Sequence, residues 1–173
     1  MHQIGLMSGM LSKESIRQNV GLCLDTFQTA GGDWADPTTI SGRIEDLSDD
    51  ELEQRYKKSL DDLVQTAPME KIYLLQISKA YKPPKPLDKG KDDLRLRPRG
   101  RWSHDFRPLP FHGGYLPIIP FTSAVLQTGF RGWFSMEVFD GGKDGETKPD
   151  ANLERYAEEA KESYKRMVRE ATS

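Results

Sequence analysis

The sequence has a single cysteine and no apolar run near the roughly 20 residues of a membrane-spanning helix. It also lacks an excess of either charge. One cysteine cannot close an internal disulfide, so Cys23 reads as a small buried hydrophobe in a reducing compartment. Residues 1–18 have neither the basic start nor the continuous apolar core of a secretory signal, and the cytoplasm is the expected location. A net charge of -2 and a pI near 6.0 give no reason to expect nucleic acid or an anionic membrane as partner. Small molecules are the expected ligands.

What is present is an alternation of apolar runs and amphipathic segments. Residues 19–28 (NVGLCLDTFQ), 70–78 (EKIYLLQIS) and 132–140 (GWFSMEVFD) are three apolar runs of strand length. Each carries a polar residue near its end: Asp25, Gln76 and Glu137. Because side chains alternate along a strand, Asp25 shares a face with Cys23 and Gly21, Gln76 with Leu74 and Ile72, and Glu137 with Ser135 and Trp133. The opposite faces are uniformly apolar and suit a layer of covering helices.

Between these runs, Ser48 and Glu51 form a capping box ahead of Leu52, Tyr56, Leu60, Leu63 and Val64 at helical spacing. A short helix is expected over 117–128, ended by Gly129, and a final helix over about 151–171 with Leu153, Tyr156, Ala157, Ala160, Tyr164, Met167 and Val168 as its stripe. Residues 29–36 read as a glycine-containing loop, and 80–114 as one long irregular loop. Strands alternating with helices imply parallel βα units. Three are visible where a complete eightfold barrel takes about 250 residues, so the expected class is α/β, the C-terminal part of a (β/α)8 TIM barrel with the barrel incomplete. The domain division is a poorly patterned segment 1–18 and a partial barrel domain 19–173.

If neighbouring strands bring Asp25, Gln76 and Glu137 together, two carboxylates and an amide oxygen offer three hard ligands. That set favours Mg²⁺ or Mn²⁺ over zinc. The alternative is structural: Asp25 caps the following turn, Gln76 is a satisfied polar residue at a strand end, and Glu137 meets an arginine.

The strings NVGLCLDTFQ, KIYLLQIS, WSHDFRPLPFHGGYLP and GWFSMEVF, in this order, resemble the xylose isomerase-like TIM barrel family and, within it, the fungal-type 3-dehydroshikimate dehydratases. The resemblance implies a divalent metal, Mg or Mn, held by Asp25, Gln76 and Glu137, with Glu137 also catalytic. It implies substrate contacts from Gln28, Trp102 and Arg107, the last pairing with a substrate carboxylate. It therefore implies a metal-dependent lyase acting on a carboxylated cyclic or sugar-like small molecule. The sequence departs from the family pattern in three ways. The family's first metal-ligand glutamate has no counterpart, Gln28 stands where many relatives carry histidine, and Lys79 follows QIS where an acid is expected. Two further readings stay open: a sugar isomerase or epimerase of the same superfamily, and a non-catalytic fragment or pseudoenzyme. Arg95, Arg97, Arg99, Arg101, His104 and His112 read as solvated loop residues. Self-association through open barrel edges is expected.

Overall fold

The computed structural model describes residues 20–147 and 152–173. The expectation for residues 1–18 lies outside them. Three strands form one parallel sheet: β1 (Leu22–Asp25), β2 (Ile72–Ile77) and β4 (Trp133–Met136), in the order β1-β2-β4. Among the described residues the sheet does not close, and the outer edges of β1 and β4 have no strand neighbour. This is the expected partial barrel.

The strands are shorter than the apolar runs, and each shortening has a local cause. The first run stops at Asp25, whose extended backbone (φ -134°, ψ 124°) and side chain cap a helix: its Oδ1 accepts from the amides of Phe27 at 2.7 Å and Gln28 at 3.2 Å. Residues 26–28, expected as strand, are therefore the first turn of α1 (Thr26–Asp33). Helix also replaces most of the loop expected over 29–36. Its glycines serve close packing instead of a turn, since a Cβ on Gly31 would meet the Trp102 ring at 3.1 Å and the Arg99 guanidinium at 3.0 Å. Gly21 has a similar role, because a Cβ there would lie 2.7 Å from the Lys71 carbonyl oxygen.

The capping box forms as expected and starts α2 (Asp49–Thr66), with Leu52, Tyr56 and Leu60 buried. A 3₁₀ turn at Met69–Lys71 delivers the chain to β2. The expected loop over 80–114 contains two elements the sequence did not reveal, α3 (Pro98–Asp105) and β3 (Phe106–Arg107). Backbone bonds from Lys79 to Pro108, Tyr81 to Phe106 and Tyr115 to Ala80 tie it to the end of β2. Helix α4 (Ile118–Gln127) follows, and Gly129 at φ +94° ends that turn of chain, a conformation costly for other residues. The third run also divides. After β4 the chain turns away, and β5 (Phe139–Asp140) pairs antiparallel with β3.

The helical layer covers the apolar sheet face only in part, since Val20 and Tyr73 on that face stay 41% and 47% exposed. Leu75 and Ile77 of β2 are fully buried against Phe27 and Ala30 of α1, Ile118, Phe121 and Val125 of α4, and Met167 of α5 (Leu153–Thr172). Each such large apolar side chain contributes about 1.5–3 kcal/mol relative to exposure. The opposite sheet face is open: Cys23 is exposed and Trp133 is 81% exposed. Cys23 is therefore not the buried hydrophobe expected. The α5 stripe is also only partly used, with Met167 buried but Leu153, Ala157 and Tyr164 exposed. No helix of the described residues is long and apolar enough to cross a membrane.

Candidate functional site

The sheet register puts Asp25, Gln76 and Ser135 in one row across β1, β2 and β4. Glu137 follows β4 by one residue and stays in register, its amide donating to the Ile77 carbonyl at 3.0 Å. A reciprocal pair of bonds fastens the ends of β1 and β2 together: the Thr26 hydroxyl donates to the Ser78 carbonyl at 2.6 Å and accepts from the Ser78 amide at 3.0 Å. Parallel pairing thus carries the polar strand ends to one rim, where sites of open α/β sheets are built.

Asp25 and Glu137 meet there on a single cationic atom. Nη2 of Arg107 lies 3.0 and 3.2 Å from the two Asp25 carboxylate oxygens and 2.7 Å from Glu137 Oε2. Its Nε donates to the Ser78 hydroxyl at 2.9 Å and its Nη1 to the Ser103 hydroxyl at 3.4 Å. The guanidinium carbon lies 4.6 Å from the Phe27 ring centre and 5.7 Å from that of Phe139. Arg107 is 1% exposed, so its charge is neutralised internally and does not reach out as a substrate-binding prong in this arrangement.

Burial, then the closeness of Asp25, hold the Glu137 carboxyl above its ordinary range, and Arg107 offsets part of that rise. Burial also pushes the Cys23 thiol up, and Asp25 and Glu137 add to the effect. Cys23 is thus a poor thiolate despite its exposure. Its Sγ lies 3.2 Å from Gln76 Oε1, which turns the Gln76 amide toward β1.

The other expected contacts divide. Gln28 is exposed at the rim, and its backbone carbonyl accepts from Arg99 at 3.2 Å. Trp102 is fully buried, 4.7 Å from the Phe27 ring, with Nε1 donating to the Tyr81 carbonyl at 2.8 Å. It supports Phe27 under Arg107 and is closed to a ligand. Arg99, expected in solvent, is half-buried against α1. Ser78, Ser103 and the two phenylalanines were not singled out from the sequence. Ser78, directly after the polar end of an apolar run, was the only one of them with a positional signal.

These observations test the fit of a divalent cation. Among the described residues no three His, Cys, Asp or Glu side chains gather around one point. Two carboxylates do share one cation position, with the Gln76 amide in the adjoining register, and these oxygen donors suit a hard cation in kind. The Arg107 guanidinium holds the charge that such an ion would replace.

The family model for the xylose isomerase-like TIM barrel matches residues 8–167. The chain belongs to that family. A 3-dehydroshikimate dehydratase of Neurospora crassa is 33% identical over 130 residues, which are 72% of this chain and 35% of that protein. Among solved structures, a xylose isomerase domain protein from Alicyclobacillus acidocaldarius subsp. acidocaldarius superposes with a TM-score of 0.52 at 22% identity, over 90% of this chain and 39% of the other. A xylose isomerase-like TIM barrel/4-hydroxyphenylpyruvate dioxygenase fusion protein gives the same TM-score and identity over 87% and 18%. The two structures support the barrel fold alone. This xylose isomerase-like chain spans about a third of the curated relative's length.

Proposed function

We propose that this chain carries the reacting rim of a divalent-metal-dependent lyase that removes water from a small hydroxylated ring carboxylate of the 3-dehydroshikimate type. The convergence of Asp25 and Glu137 on one cation position at the ends of parallel strands carries this reading. The partial likeness to the Neurospora crassa dehydratase supports the substrate class.

Asp25, Gln76 and Glu137 would hold the cation, which when bound supplies polarisation of a substrate carbonyl oxygen. Proton movement falls to Glu137. A carboxyl held above its ordinary range by burial is suited to take a proton from the carbon beside the carbonyl and give it to the departing hydroxyl. One C–H and one C–O bond break, one C=C bond forms, and water leaves. Asp25 is held in place by two backbone amides, so its carboxylate stays fixed while Glu137 exchanges protons. Phe27 lies against the Arg107 guanidinium, and the Thr26–Ser78 bonds fasten the ends of β1 and β2 to each other.

The test is turnover of 3-dehydroshikimate with Mn²⁺, read as the ultraviolet absorbance of the aromatic carboxylate formed. Wild type should build that absorbance and Glu137→Gln should lose it. No absorbance with wild type, or equal rates for both proteins, would overturn the proposal.

A further inference from the structure

A cavity of about 500 Å³ lies beside the rim. Gln28, Arg97, Arg99, Ser103, His104 and Phe139 line it. Two of these residues also belong to the Arg107 site: the Ser103 hydroxyl accepts from Nη1, and the Phe139 ring lies against the guanidinium. The cavity therefore adjoins the Arg107 site through these two residues, and its volume is that of a ring-sized ligand.

Its chemistry is cationic. Arg99 is half-buried and donates to the Gln28 carbonyl, yet it makes no ion pair with a carboxylate among the described residues. Burial lowers its pKa while Asp33, Asp36 and Asp25 act on it only through longer-range charge. A guanidinium placed this way carries a desolvation cost that no direct carboxylate offsets. Arg97 stands exposed at the start of α3, and no side chain caps that helix. Pro98 at its first position leaves the next amides directed out of the helix start, which adds positive potential at the cavity wall. Of the acids nearby, Asp105 is engaged by His104 at 2.8 Å. Arg107, by contrast, is already paired with two carboxylates.

We propose that this cavity is a carboxylate subsite, in which the Arg97 and Arg99 guanidiniums hold the carboxylate of a ring compound that lies along Phe139 with its reacting carbons toward Glu137. A planar fork of N–H donors matches a carboxylate bidentately, which a lysine ammonium does not. The exposed side of Phe139 offers the ring a stacking surface. The carboxylate-anchoring role that the resemblance implied for Arg107 passes to Arg99 and Arg97. The proposal rests on the lyase reading for the direction of the ring, but not for the anion contact.

Calorimetric binding of 3,4-dihydroxybenzoate and of catechol, which differ only in the carboxylate, tests it without turnover. Wild type should bind 3,4-dihydroxybenzoate at least about 10-fold more tightly, which is about 1.4 kcal/mol. Arg99→Met should remove that difference, and Arg99→Lys should restore only part of it. Arg97→Met, at an exposed position with no packing to lose, should reduce it as well. Equal binding of the two compounds by wild type, or a preference unchanged in both methionine variants, would overturn the subsite. Inorganic phosphate that displaces 3,4-dihydroxybenzoate at equal concentration would also overturn it in favour of a general phosphate site. A carboxylate preference in a chain that does not turn over 3-dehydroshikimate sinks the lyase reading and keeps the subsite. Turnover without the preference does the reverse.

Discussion

Replacing Arg107 with methionine removes the charge on which the rim is built while keeping most of the side-chain volume. Asp25 would lose a two-oxygen contact and Glu137 its 2.7 Å partner, leaving two neighbouring carboxylates with no cation between them. Breaking a buried pair from one side costs about 3–5 kcal/mol. The lower end applies here, because Asp25 keeps its two backbone donors and the Glu137 side chain is 30% exposed. With a urea slope of about 2 kcal/mol/M, a loss of about 3 kcal/mol lowers the unfolding midpoint by about 1.5 M. The pH dependence adds a second signature. Glu137 already has a folded pKa above its unfolded one, so folding favours its protonated form. That contribution is complete below the unfolded pKa and is lost as pH rises through the folded pKa. Without Arg107 the same carboxyl is raised further, so the penalty of the substitution should be full at pH 7.5 and smaller at pH 5. Circular dichroism in urea at the two pH values measures both. A midpoint unchanged at pH 7.5, or a deficit as large at pH 5 as at pH 7.5, would refute the description of Arg107 as the counter-ion of two carboxylates.

Trp102→Ala should destabilise the chain by about 3–5 kcal/mol through the cavity it leaves beside Phe27 and the orphaned Tyr81 carbonyl. Urea unfolding reads this, and a loss below about 1 kcal/mol would return Trp102 to the surface. Cys23, exposed but with its thiol pushed up, should react with iodoacetamide at pH 7.5 more slowly than free cysteine, and more slowly than the same residue in Glu137→Gln. Mass spectrometry follows the rate, and a faster reaction in wild type would contradict the charge environment assigned to it.

The parallel βα order was legible because apolar runs and amphipathic helices have different periods, and the capping box at Ser48 announced α2 directly. Element ends were less so. Asp25 terminates β1 by bonding two amides downstream, and a sequence cannot show whether an aspartate at a strand end caps the next helix or faces the rim. Here it does both. The region containing Trp102 and Arg107 looked irregular because α3 is only eight residues long and β3 two, too short for a periodic signal, and because tertiary contacts hold them. Their partners come from far along the chain: Arg107 meets Asp25 and Glu137, and Trp102 meets Tyr81 and Phe27. The structural alternative for the three strand-end residues holds for their contacts, since Asp25 caps the following turn, Gln76 accepts from Cys23 and Glu137 meets an arginine. The meeting of that same arginine with Asp25 gives the rim its single cation position.

Mn²⁺ binding by the wild-type chain, Asp25→Asn, Glu137→Gln and Arg107→Met, read from the free-ion electron paramagnetic resonance signal, tests that position directly. Each variant is compared while circular dichroism shows it folded. The account predicts that either carboxylate variant weakens binding about 10-fold or more and that Arg107→Met strengthens it, because the ion no longer competes with a resident guanidinium. Mn²⁺ affinity indifferent to both Asp25→Asn and Glu137→Gln would contradict it.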